Sequence, residues 1–155
     1  MATLGLAPIQ LLTTSNHSCW VRHGKEEVSM SYKAGAPLVN DTGQVEECGA
    51  DPTNLVGFAL HDASGVENSD VMFVVPREDD EIEATLTTSA FAYALLGTEL
   101  ENRYGLAKDA TTGFWYIDQA ETTADVVVIT GFVSPIGTVN PRVRARLLRG
   151  VLNAA

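Results

Sequence analysis

Two short apolar and aromatic runs, Tyr104–Ala107 and Phe114–Ile117, flank the turn-rich stretch Lys108-Asp-Ala-Thr-Thr-Gly113, and this pair constrains the fold more than any other feature. β-Branched and aromatic residues suit a pleated, half-buried surface, while Asp and Gly accept the dihedrals of a tight turn, so the stretch reads strand, turn, strand. After a polar break at Gln119–Ala124 comes Asp125-Val-Val-Val-Ile-Thr-Gly-Phe-Val133, and then Arg142-Val-Arg-Ala-Arg-Leu-Leu148, which alternates strictly at its start. Successive hairpins of this kind make a β-meander.

The first half continues the pattern. Val28-Ser-Met-Ser-Tyr32 alternates apolar and polar residues, and Leu38-Val39, Gln44–Cys48, Leu55–Leu60 and Val71–Val75 read as further short strands. Turn composition separates them at Lys33–Pro37, Asn40–Gly43 and Asp51–Asn54. Gly57, inside an apolar run, marks a bulge or a close approach of two backbones. Ser89–Leu96 fits a helix of about two turns capped by Ser89, and equally a strand alternating through Phe91, Tyr93 and Leu95. About eight strands and at most one short helix predict an all-β fold over residues 28–155, a small antiparallel β-barrel or β-sandwich. Residues 1–27 read as an extended N-terminal arm, because Leu4, Leu6, Ile9, Leu11 and Leu12 follow no sustained period and Gly5 and Pro8 interrupt them.

A chain of 155 residues is long enough to bury one core, and a 45% apolar content marks it as globular. The formal charge of −10 opposes a phosphate backbone, so no nucleic-acid partner is expected. No run of apolar residues is long enough for a membrane-spanning helix, and no membrane partner is expected. The opening residues lack the basic stretch and compact apolar core of a secretory signal, which points to synthesis in the cytosol and to Cys19 and Cys48 as free thiols.

No residue set carries recognisable chemistry. His17, Cys19 and His23, with Cys48 as a fourth group, lack the paired cysteine spacing of a zinc site. The acidic stretch Glu78–Glu83 lacks the ligand order of a calcium loop and reads as a solvated turn. His61, Asp62 and Ser64 have the residue types of a hydrolase triad, but they sit in one loop, whereas a triad converges from separate elements. No catalytic residue, metal or cofactor is expected. The charge pattern that does stand out is Arg142, Arg144 and Arg146, which alternate and so share one strand face, with Arg149 beyond them. They read either as a solvated face or as a surface that meets acidic groups on a partner.

Tyr32-Lys-Ala-Gly-Ala-Pro-Leu-Val-Asn40, followed by Leu55-Val-Gly-Phe-Ala-Leu-His-Asp-Ala63, resembles the head decoration (cement) proteins of tailed bacteriophages. The closing portion, from Gly97 through Tyr104–Asp109, Gly113–Asp118 and Val126–Phe132 to Arg142–Leu148, is similar to small β-rich structural proteins of phage virions. The resemblance covers about residues 30 to 148 and rests on strands and glycines. It implies a non-enzymatic virion protein that binds the capsid exterior, clamps neighbouring subunits of the major capsid protein and commonly forms a homotrimer. Leu4, Leu6, Ile9, Leu11, Leu12, Arg142, Arg144 and Arg146 are the candidate contact residues. A tail, neck or vertex protein is the alternative within the virion. A carbohydrate-binding β-module, stacking sugars on Phe114, Trp115 or Tyr116, is the alternative of another class.

Overall fold

The computed structural model describes residues 6–12, 20–49, 52, 54–77, 80–87 and 102–148. The described residues contain no helix and form β1 (Gln10–Leu12), β2 (Trp20–Lys25), β3 (Pro37–Asp41), β4 (Gln44–Glu47), β5 (Leu55–Ala59), β6 (Asp70–Val75), β7 (Glu81–Thr87), β8 (Arg103–Lys108), β9 (Trp115–Asp118), β10 (Val127–Phe132) and β11 (Arg142–Leu147). The all-β expectation holds. Ser89–Leu96, left open between helix and strand, lies outside the described residues.

The strands divide into two five-stranded rings. The C-terminal ring runs β7-β11-β10-β8-β9 and returns from β9 to β7, closing a barrel, with β1 added on the outer side of β7. The N-terminal sheet runs β2-β6-β5-β3-β4, and its edges meet at a single parallel bridge, Glu26 to Val45. Parity explains both closures. Neighbours within each sheet run antiparallel, and an odd ring of alternating directions must contain one parallel pair. In the barrel that pair is β7–β9, in register at Leu86–Ile117 and Thr87–Asp118. A single buried cluster passes through both rings, from Tyr32, Leu38, Leu55 and Phe58 to Ile82, Leu86, Ile117 and Ile129.

Local chemistry sets these elements. β11 alternates as expected, with Val143, Ala145 and Leu147 buried and the arginines outward. Thr42 and Gly43, both at positive φ, make the two-residue β3–β4 turn, whose twist matches that of the flanking strands. Gly57 serves both roles foreseen for it. The register shifts beside it, and an added Cβ would run into the Val74 carbonyl and the Phe73 ring.

Within the expected N-terminal arm, the described residues form two strands that pair with the rest of the domain: β1 with β7 and β2 with β6. Ile9 is 4% exposed and belongs to the core. Val28–Tyr32 forms no strand. Ser29 takes a φ of 62°, which turns the chain, so Val28 points to solvent while Tyr32 is buried. The acidic stretch is likewise not simply a turn, because Glu81, Ile82 and Glu83 belong to β7; Glu78 and Asp79 lie outside the described residues.

Candidate contact surface

The three strand arginines do not act alike. Cross-strand register places Arg142 opposite Thr85, Arg144 opposite Glu83 and Arg146 opposite Glu81. Arg142 Nε donates to Glu83 Oε1 at 3.1 Å, and its terminal nitrogens donate to the carbonyls of Pro8 at 3.0 Å, Glu83 at 3.2 Å and Ala7 at 3.4 Å, and to Thr85 Oγ1 at 3.3 Å. That guanidinium is thus a clasp between the N-terminal residues, β7 and β11, and the acid that answers it belongs to the same chain. The expectation of a free basic row shrinks to Arg144 and Arg146, which are exposed on the barrel's outer face.

The candidate arm residues also separate. Leu4 lies outside the described residues. Leu6, Leu11 and Leu12 are partly buried, and Leu11 packs against the core. Ile9 is buried too deeply to meet a partner.

Sequence periodicity passed over the most exposed apolar site among the described residues. The β10–β11 connection carries Val133, Ile136 and Val139, which are 46%, 76% and 42% exposed. The loop is held at several points. Arg142 O accepts from Val133 N and Ser134 N, Pro135 O accepts from Thr138 N at 3.1 Å, and Pro141 O accepts from Leu86 N at 2.9 Å. Thr87 Oγ1 donates to Asn140 Oδ1 at 2.7 Å, tying the tip to the end of β7. The readable signal was Val133-Ser-Pro-Ile-Gly-Thr-Val139, where apolar residues occupy positions that turns normally give to polar ones. A second exposed apolar patch lies on the β2–β6 edge. Trp20 is 54% exposed, with the Arg22 guanidinium 5.8 Å from its ring centre on the same strand face, while Val21 and Met72 are exposed on the opposite face of the same pair.

The remaining candidates resolve into structural roles. Trp115, Tyr116 and Ile117 are buried and Phe114 is partly so, leaving no flat exposed aromatic platform there. Trp115 Nε1 donates to Glu47 Oε2 at 2.9 Å, and burial pushes the Tyr116 hydroxyl up to about 12, with Asp118 and Asp109 adding to it. His61 uses both ring nitrogens on backbone: Nδ1 lies 2.8 Å from Asp62 O, and Nε2 accepts from Met72 N at 3.0 Å. Asp62 accepts from Ala34 N, and that bond, reinforced by Lys33, holds its carboxyl below the usual range. The Ser64 hydroxyl donates to the buried Glu26 carboxylate, so these residues do not assemble a nucleophile and base. Burial, helped by the neighbouring Glu47 charge, pushes the Cys48 thiol up to about 12, a poor state for metal ligation. His17 and Cys19 lie outside the described residues, while His23 sits on exposed β2.

The arrangement offers contact: a braced apolar tip, an aromatic strand edge and two outward arginines. No protein-family model matches this chain, and no curated protein matches it.

Proposed function

We propose that the protein is a virion structural protein of a tailed phage that binds the capsid exterior, contacts the major capsid protein and stabilises the shell. The observation that carries this reading is the β10–β11 tip, where a braced loop holds Ile136 at 76% exposure. Val133 and Val139 are exposed on the same loop, and grouped exposed apolar side chains mark contact surfaces. Because the loop is already fixed, little ordering is lost on docking, and more of the buried area appears as affinity. The phage-decoration resemblance of residues 30 to 148 supplies the identity of that surface. A homotrimer, the common arrangement of such proteins, would present several tips at once, so that weak contacts add by avidity.

Stabilisation follows by linkage. A subunit that binds only the mature, expanded lattice lowers the free energy of that lattice relative to every other form.

Co-sedimentation with purified capsids tests the reading. The protein should pellet with expanded shells and not with unexpanded ones. Ile136→Asp should reduce binding at least tenfold while leaving the melting temperature unchanged. Absence of binding to expanded shells, or full binding by Ile136→Asp, would overturn it. Copy number per particle separates a decorator of the whole shell from a tail, neck or vertex component.

A further inference from the structure

The N-terminal ring closes at one place, and three carboxylates meet there. Glu27 follows the Glu26–Val45 bridge and donates its N–H to Val45 O at 3.1 Å, Glu46 is the next residue on β4, and Asp41 ends β3. One carboxylate oxygen from each lies within 4.8 Å of the other two. The ion pairs among the described residues engage Asp70, Asp62, Glu47 and Glu83 and none of these three acids. A separate observation points to a missing counter-charge. Oε2 of Glu27 is sealed from solvent and meets no hydrogen-bond donor. Glu46 and Asp41 bring their carboxylates to the same place, so the three negative charges crowd one another. A buried anionic oxygen without a donor, beside two further carboxylates, is unfavourable unless something positive sits among them.

We propose that Glu27, Asp41 and Glu46 bind a divalent cation of the calcium class, which holds β2 to β4 and closes the N-terminal ring. Calcium takes oxygen ligands at about 2.4 Å, so two oxygens on one ion lie at most about 4.8 Å apart. The three carboxylate oxygens, all within 4.8 Å of one another, fall inside that limit. Magnesium demands shorter bonds and tighter octahedral geometry, which fits less well to carboxylates from three separate backbone positions. Asp41 is exposed and leaves the outer side open to water ligands. Three protein carboxylates completed by water place the affinity in the weak calcium class, at about 0.1–1 mM.

The test uses the whole chain, stripped with EDTA and titrated with calcium chloride by calorimetry and thermal melting, against sodium chloride at matched ionic strength. One saturable site and a higher melting temperature are expected with calcium and not with sodium. Glu46→Gln should weaken calcium binding at least tenfold and, in EDTA, should melt above the parent because one crowded charge is gone. Asp41→Asn, at an exposed position, repeats the test if Glu46→Gln folds poorly. Glu67→Gln, an exposed acid elsewhere, should change neither reading. Calcium acting no better than matched sodium, or acting equally on Glu46→Gln and Asp41→Asn, would overturn the proposal. So would a melting temperature that rises on mild acidification but ignores calcium, because a shared proton would then supply the counter-charge.

Discussion

Replacing Arg142 by alanine should destabilise the protein far more than the same change at Arg144 or Arg146, although all three share one strand face. Arg142 and its partner Glu83 are 18% and 22% exposed at the side chain, and the guanidinium reaches five acceptors drawn from Ala7, Pro8, Glu83 and Thr85. A hydrogen bond involving a charged group contributes about 1.5–3 kcal/mol net. The five do not add, because the Ala7 and Pro8 carbonyls can rehydrate once the side chain is gone, and Glu83 recovers part of its solvation. The expected loss is about 2–4 kcal/mol, which in a chain of this size lowers the melting temperature by about 4–15 °C. Arg144→Ala and Arg146→Ala should each stay within about 0.5 kcal/mol, as exposed charges do. Urea unfolding followed by tryptophan fluorescence gives the three values. A double-mutant cycle of Arg142→Ala with Glu83→Ala should return a coupling of about 1–2 kcal/mol. If Arg142→Ala matched Arg144→Ala, or if the cycle gave no coupling, the clasp would carry no energy and the reasoning would fail.

Removing residues 1–12 should lower stability by about 3–5 kcal/mol, since it deletes β1 and empties the site of buried Ile9; thermal melting of the shortened chain measures this. Gly57→Ala should leave little folded protein, because its Cβ meets backbone at the Val74 carbonyl rather than a movable side chain, and circular dichroism would show the loss of β signal. The Glu121 carboxylate accepts from the Thr123 hydroxyl and from Ala124 N and Thr123 N, and these bonds lower its pKa to about 2. A depressed carboxyl pKa contributes stability above the unfolded value, lost as pH falls through the folded one. The Glu121–Ala124 loop should therefore hold at pH 5 and loosen between about pH 4.5 and 2, with Glu121 titrating near the bottom of that window by NMR.

Legibility in the sequence followed burial. β8, β9, β10 and β11 were readable because their inward residues are apolar, so composition reports directly which positions the core takes. β2 was not, since five of its six residues are exposed and Trp20-Val-Arg-His-Gly-Lys25 carries no burial alternation. Backbone pairing with β6 makes it a strand, and no local propensity announces that. Val28–Tyr32 failed in the opposite sense, for its alternation is real but Ser29 breaks the extended backbone. The basic strand was visible, yet the separation of Arg142 from Arg144 depends on Ala7 and Pro8 lying beside β7, a long-range fact. Ile136 was overlooked because strand periodicity says nothing about apolar residues in turns.

The placement of β1 has a consequence for synthesis. Among the described strands β1 is synthesised first, yet the described strand it pairs with is β7, which emerges after the whole N-terminal ring. Residues 20–75 contain every strand of that ring and can pair as they appear. β1 must meanwhile wait, unpaired and apolar, until β7 arrives. Barrel closure comes later still, because β9 must return to β7 and β11 must insert beside it. Chain growth and barrel completion are therefore out of step at the N-terminus. A bulky fusion placed before Leu6 would act on this interval, slowing capture of β1 by β7 while leaving the N-terminal ring free to form.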